Sequence, residues 1–196
     1  MIKGKTALIV IDAQKDTLDQ NIKWFDKRNI EVLAQTVKLI DACRKAKIPV
    51  IYTQEIHRDS CIDFGRELDG DEGKHCLESR PTTDIADEVG MRPEDSLVPK
   101  RRYSCFLYTD LEVVLNGLGV FPNDTLILCG FFTDVCVHYT FVDAHQRDYR
   151  VKVVEDCCGG STPSAHKGSL QAMRYLQHEA PVELDEILKD IELYTK

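Results

Sequence analysis

The feature that most constrains this chain is the form of its apolar runs. They are continuous rather than alternating: Thr-Ala-Leu-Ile-Val-Ile at Thr6–Ile11, then residues 48–53, 125–129 and 151–154. A strand with one wet face alternates polar and apolar side chains, whereas a strand covered on both faces reads as an unbroken apolar stretch. Between these runs lie segments of helical period. Over 30–46 the residues Val32, Leu33, Val37, Leu39, Ile40 and Cys43 form one stripe, and 109–118, 135–147 and 164–178 also read as helices. A short strand or turn and a last helix are expected after Pro181. Strands separated by helices predict an α/β protein, a three-layer α/β/α fold with a mainly parallel central sheet. With 196 residues and no repeat or linker, one domain over 1–196 is expected. Residues 58–80 are polar, contain glycine, and are too long for an ordinary connection, so they are expected to build a site or a lid.

In such folds ligands bind beyond the carboxyl ends of the strands. Three polar clusters distant in sequence fall on that edge: Asp12 after the first strand, Glu55 and His57 after the second, and the turn before Cys136 after the 125–129 strand. The first strand leads into Asp12-Ala13-Gln14 and not into a glycine-rich phosphate loop, which disfavours a dinucleotide enzyme. In Leu128-Cys129-Gly130-Phe131-Phe132-Thr133-Asp134-Val135-Cys136 a strand ends in glycine, a turn follows, and a cysteine opens the helix. A thiol at a helix N-terminus is expected to favour its thiolate form. The same turn would aim free N–H groups at a developing oxyanion.

Composition narrows the partners. The net charge is −8 and the basic residues are scattered apart from Lys100-Arg101-Arg102, which argues against a nucleic-acid ligand. Eight cysteines without disulfide-framework spacing or a Cys-x-x-Cys pair read as reduced thiols, with no structural zinc. No apolar run approaches the roughly 20 residues of a membrane span, and residues 1–5 carry no signal-peptide pattern, so a cytoplasmic protein is expected.

Four blocks in order resemble the isochorismatase-like cysteine hydrolases, a superfamily that includes nicotinamidases and N-carbamoylsarcosine, biuret and ureidoacrylate amidohydrolases. They are Ala7-Leu8-Ile9-Val10-Ile11-Asp12-Ala13-Gln14; Val98 through Phe106 with Thr109-Asp110-Leu111; Gly130 through Val137 with Asp143-Ala144; and Val151 through Asp156. The resemblance implies a catalytic triad of Asp12, Lys100 and Cys136. It also implies an oxyanion hole from the N–H groups of Phe132 and Cys136, and a cis peptide at Phe131–Phe132. Where the family often carries a small residue, Phe132 would narrow the pocket. Homodimers or homotetramers are implied as well.

By the same resemblance, nicotinamidases bind a metal through an acidic-x-His pair, a second His six residues on, and a His before a Cys. This chain offers Glu55, His57, Asp63 and His75 at those places. Carboxylate and imidazole ligands are compatible with a divalent cation, although no cofactor is required by the triad chemistry. Alternatively, Glu55, His57 and Arg58 read the substrate directly, Arg58 offering a planar fork to a carboxylate or carbonyl. Trp24, Tyr103, Phe106, Phe131 and Phe132 are candidate cleft walls, whereas His138, His145, His166 and His178 read as structural.

The expected activity is hydrolysis of the C–N bond of a small amide, carbamoyl or ureido compound through a thioester, releasing ammonia or an amine. The alternatives are an isochorismatase-type vinyl ether hydrolase, which needs no thiol, and a non-catalytic or redox-sensing protein of the same fold.

Overall fold

The computed structural model describes residues 1–20 and 26–194. Trp24 lies outside the described residues. The strands are β1 (Thr6–Ile11), β2 (Val50–Glu55), β3 (Ser96–Lys100), β4 (Thr125–Phe131), β5 (Arg150–Gly159) and β6 (Pro181–Val182). The helices are α1 (Arg28–Lys45), α2 (Leu111–Leu118), α3 (Cys136–Gln146), α4 (Pro163–Leu176) and α5 (Leu184–Tyr194). All strands are parallel, in the order β3-β2-β1-β4-β5-β6. Helix α1 packs with α5 on one side of the sheet, and α3 packs with α4 on the other. The three-layer α/β/α architecture is therefore as expected.

Every residue of β1 is buried, and β1 lies between β2 and β4. At roughly 1.5–3 kcal/mol for each fully buried aliphatic side chain, this strand and its neighbours anchor the core. From β1 the chain winds outward to β2 and β3, whereas from β4 it winds the opposite way to β5 and β6. The carboxyl ends of β1 and β4 thus flank the switch point at which such sheets bind ligands.

Two strands differ from expectation. β3 has no apolar run because it is an edge strand with alternating burial, and Pro99 is tolerated where one side needs no partner. β5 is longer than 151–154. Val153 pairs with Leu128 and Cys158 with Gly130, so an irregularity in β5 takes up extra residues, while Val154 pairs with Val182 of β6.

The segment after β2 is irregular, with short 3-10 turns at Gly65–Asp69, Pro81–Thr83 and Asp87–Val89. Its middle is tied back to the strand end: His57 N–H donates to Cys76 O at 2.7 Å, and Glu78 N–H donates to His57 O at 2.8 Å. No described helix is long and apolar enough to cross a membrane.

Candidate active site

Asp12 stands one residue beyond β1 with φ +49°, a left-handed conformation uncommon outside glycine. It is held there by its N–H to Thr53 O at 3.2 Å and by the Thr53 hydroxyl, which donates to Oδ1 at 2.9 Å. Across the strand gap, Gly130 has φ +119°, and a Cβ there would lie 1.9 Å from Ile11 O. Only glycine lets β4 approach the end of β1 this closely.

Lys100, the last residue of β3, is completely buried. Its Nζ lies 2.8 Å from Asp12 Oδ2, 2.9 Å from Glu55 Oε2 and 3.2 Å from Cys136 Sγ. Glu55 ends β2 in register with Lys100, and Cys136 opens α3. Cys136 Sγ is 3.4 Å from Glu55 Oε2. The triad residues expected from sequence are thus in one contact group, together with a second carboxylate.

Burial pushes the Asp12 carboxyl up; Lys100 offsets this only in part, and Glu55 adds to it, so Asp12 stays above its ordinary range. Burial acts upward on Glu55 too, but Lys100 and hydrogen bonds from His57 and His75 outweigh it and hold Glu55 well below the usual carboxylate range. Burial works against the Lys100 ammonium, yet Asp12, Cys136 and Glu55 hold it well above its ordinary value. The Cys136 thiol is raised well above its ordinary value: burial dominates, and Lys100 is countered by the two carboxylates. This corrects the thiolate expectation. In the folded site burial favours the thiol form of Cys136.

The Phe131–Phe132 peptide is cis. The turn's hydrogen bonds run from Thr133 N–H to Gly159 O and from both Val135 and Val137 N–H to Phe132 O. None of these uses the N–H of Phe132 or Cys136.

A second cluster lies on the other side of Glu55. Its Oε1 is 3.1 Å from His75 Nε2 and 3.4 Å from His57 Nε2, while Glu67 Oε2 is 3.2 Å from His57 Nε2. His75 Nδ1–H donates to Gly73 O at 2.8 Å, fixing the ring, and His57 stacks on Phe64 with centroids 3.9 Å apart. Among the described residues buried Glu67 Oε1 has no hydrogen-bond partner, Oε2 has only its ion pair with His57, and His57 Nδ1 makes no hydrogen bond. Glu55, His57, Glu67 and His75 each place a donor atom within 4.8 Å of the others. Two imidazoles and two carboxylates with unsatisfied buried oxygens suit a divalent cation. The fourth member is Glu67 and not Asp63. Asp63 is drawn outward, accepting from Arg58 N–H at 3.1 Å and from Arg101 Nε at 2.8 Å, and stays 3.7 Å from His57 Nδ1.

Between the clusters and the aromatic turn is a cavity of about 50 Å³. Tyr103, Phe131 and Phe132 line it, as expected, with Cys136 at its base. Phe106 does not. It is buried in the core, beneath the Arg147 guanidinium at 4.8 Å and beside Tyr149. Arg58 is exposed and does not line the cavity. His138 is paired with Ser169, His166 with Thr133 and His145 with Gln177, and His178 is exposed.

Sequence reasoning passed over Gln14, Asp16 and Glu72, which also line the cavity. Gln14 clamps two segments together: its Nε2 donates to Glu55 O at 3.0 Å and Thr83 O at 2.7 Å, and its Oε1 accepts from Glu55 N–H at 2.8 Å. The spacing Asp12-x-Gln14-x-Asp16 directly after a buried strand was the available signal.

Known proteins resemble this chain over most of its length. A ureidoacrylate amidohydrolase, RutB, of Rhizobium rhizogenes is 28% identical over 174 residues, covering 78% of this chain and 70% of that protein. A protein of Arabidopsis thaliana named "Probable inactive nicotinamidase" is 25% identical over 90% of this chain and 91% of its own length. The crystal structure of a cysteine hydrolase from Pseudomonas syringae pv. phaseolicola 1448A superimposes with a TM-score of 0.87 at 26% identity, covering 99% of this chain and 98% of that one. Residues 6–184 match the Isochorismatase domain, and the chain belongs to the isochorismatase family of hydrolases.

Proposed function

We propose that this protein is a cysteine hydrolase that cleaves the C–N bond of a small amide, carbamoyl or ureido compound and releases ammonia or an amine. The observation that carries this reading is the buried Lys100 ammonium in simultaneous contact with Asp12, Glu55 and Cys136. An ordinary buried cysteine packs as a small hydrophobe. Surrounding one with a fully desolvated lysine and two carboxylates is costly unless the group does chemistry.

Asp12, Cys136 and Glu55 hold Lys100 as an ammonium against burial, which makes it a poor base. Of the two carboxylates, Glu55 is held well below its usual range and is a weak base, whereas Asp12 is raised and is the stronger one. Asp12 therefore takes the Cys136 proton as sulfur attacks the carbonyl carbon. The N–H groups of Phe132 and Cys136 receive the oxyanion. As the C–N bond breaks, Asp12 delivers its proton to the leaving nitrogen, leaving a thioester on Cys136. Water then attacks the thioester, gives a proton to Asp12, and releases the acid. The proton returns to the thiol, and the cycle closes.

Glu55, His57, Glu67 and His75 would hold a divalent cation, which when bound would supply Lewis-acid polarisation of an oxygen facing the cavity. The hydrolytic steps above use none of it, in keeping with an activity for which no cofactor is required. Residues 58–80 belong to the site in this proposal, since Glu67 and His75 come from them within a single domain of 1–196. A reducing, cytoplasmic setting is supported by eight free cysteines, and the net charge of −8 weighs against nucleic acid as a partner. A homodimer or homotetramer is the assembly the family resemblance implies.

The test is ammonia release by the wild-type protein and by Cys136→Ala across nicotinamide, N-carbamoyl amino acids, biuret and ureidoacrylate analogues, with and without chelator. Turnover on at least one compound, reduced by about 10³-fold or more in Cys136→Ala, is expected. Turnover that survives the substitution would favour the thiol-independent vinyl ether chemistry. No turnover together with stoichiometric oxidation of Cys136 would favour a redox sensor.

A further inference from the structure

Resting on the hydrolase reading above, we propose that Asp16 receives a nitrogen-borne hydrogen of the substrate and restricts the cavity to amides that are neutral or cationic beyond the scissile group. Asp16 sits in the 3-10 turn Lys15–Leu18 directly after the Asp12 corner and is 6% exposed. It lines the same cavity as Cys136. Among the described residues its one side-chain partner is the Cys76 thiol, which donates to Oδ2 at 3.4 Å. No Lys, Arg or His lies within ion-pairing distance of Asp16 among the described residues. The neighbouring Lys15 turns away to Asp87 at 3.3 Å.

The other carboxylates of the cavity are already engaged. Asp12 and Glu55 are held by Lys100, and Glu72 lies 3.4 Å from His75. The guanidinium groups in the vicinity are turned elsewhere as well: Arg101 meets Asp63, and Arg102 donates to the carbonyls of Asp63 and Arg101. The acceptor left open among the described residues is therefore a carboxylate that is more than nine-tenths buried and whose second oxygen receives no hydrogen bond from any of them. A substrate N–H, from an amide, a ureido group or an ammonium, satisfies it. A substrate carboxylate meets an uncompensated buried charge of the same sign. Sites built to pair a buried polar group discriminate sharply against analogues that leave it unpaired. Arg58, the sequence's candidate for reading a carboxylate or carbonyl, is exposed and supplies no cation to the cavity.

The experiment compares three small amides of matched reach: malonamide, β-alaninamide and malonamate. Each is titrated as a protectant of Cys136 against iodoacetamide, with site-resolved mass spectrometry, in the wild-type protein and in Asp16→Asn. Malonamide and β-alaninamide are expected to protect at concentrations about tenfold or more below malonamate, a difference of about 1.4 kcal/mol. In Asp16→Asn the gap between malonamide and malonamate is expected to close. Equal or absent protection by the three compounds in the wild type, or an unchanged gap in Asp16→Asn, overturns the proposal. The wild-type arm stands even if the variant folds poorly. Ammonia release from the same amides separates the two readings. Protection in the expected order with no Cys136-dependent turnover on any amide sinks the hydrolase. Cys136-dependent turnover that favours malonamate sinks only the role of Asp16.

Discussion

The two buried charge clusters share Glu55 and differ in how they are neutralised. On the Oε2 side, one ammonium answers Asp12, Glu55 and Cys136 at 2.8–3.2 Å, and each of these residues lies at a strand end, at the corner beyond one, or at a helix start. On the Oε1 side, His57 and His75 face Glu55 and Glu67, and Glu67 and His75 come from the irregular segment after β2. Unsatisfied buried atoms remain there on Glu67 and His57. In the first cluster Asp12 Oδ2, which makes no hydrogen bond, is still answered by the ammonium at 2.8 Å; in the second, Glu67 Oε1 has no such partner among the described residues. A single glutamate, one oxygen for each side, is what makes them neighbours.

The sharpest way to break this contrast is to remove the cation from the first cluster. Lys100→Met should lower turnover by about 10³-fold and destabilise the fold by roughly 3–5 kcal/mol, since two buried carboxylates then lack their partner. Paired kinetics and urea denaturation would read this. Near-wild-type stability in that variant would show that the cluster is not held by its lysine.

A smaller effect is expected at the second cluster. Zn²⁺ or Mn²⁺ at about a hundredfold excess over its Kd should stabilise the wild-type protein by about 2.7 kcal/mol. Thermal melts should lose that shift in His57→Ala and in Glu67→Gln and keep it in Cys136→Ala. A shift that persists in Glu67→Gln would place the cation elsewhere.

Asp16 belongs to neither cluster and supplies the smallest effect. Burial pushes its carboxyl up to about 6 from an ordinary 3.8. The unfolded side chain then ionises before the folded one. Its contribution is greatest below pH 3.8, is lost as the pH rises to about 6, and is flat above that. Asp16→Asn should therefore stabilise the protein at pH 8 by on the order of 1–3 kcal/mol, with little gain at pH 4. Denaturation curves at both pH values would check it, and a variant less stable at pH 8 would contradict it.

How far the sequence revealed each region follows from the same physics. β1 and β4 were legible because strands buried on both faces need continuous apolar residues; Asp12 was legible because it directly follows one such run, and Cys136 because it opens a helix after the turn that follows another. β3 was not, since an edge strand with one buried face and a proline leaves no such run, so Lys100 was placed by resemblance alone. The choice of Glu67 over Asp63 was likewise hidden. It depends on Arg101 drawing Asp63 outward, a contact across 38 positions of sequence that no local spacing encodes. The upward shift of Cys136 was missed because the helix terminus is visible in the sequence, whereas the burial of the sulfur and the two carboxylates beside it are not. Phe106 and Arg58 were misplaced for a related reason: residue type proposes a role, but backbone direction decides whether the side chain reaches the cavity.

The position of β3 has a consequence for motion. It is hydrogen-bonded on one side only, to β2, and Pro99 contributes no N–H to that ladder. Edge elements open locally at a free energy below that of global unfolding. Fraying of β3 from its carboxyl end would withdraw Lys100 while β1, β4 and the core stay closed. The molecule can thus remain folded by every bulk measure and yet be transiently without its buried cation. Hydrogen exchange of the β3 amides would read out such an opening.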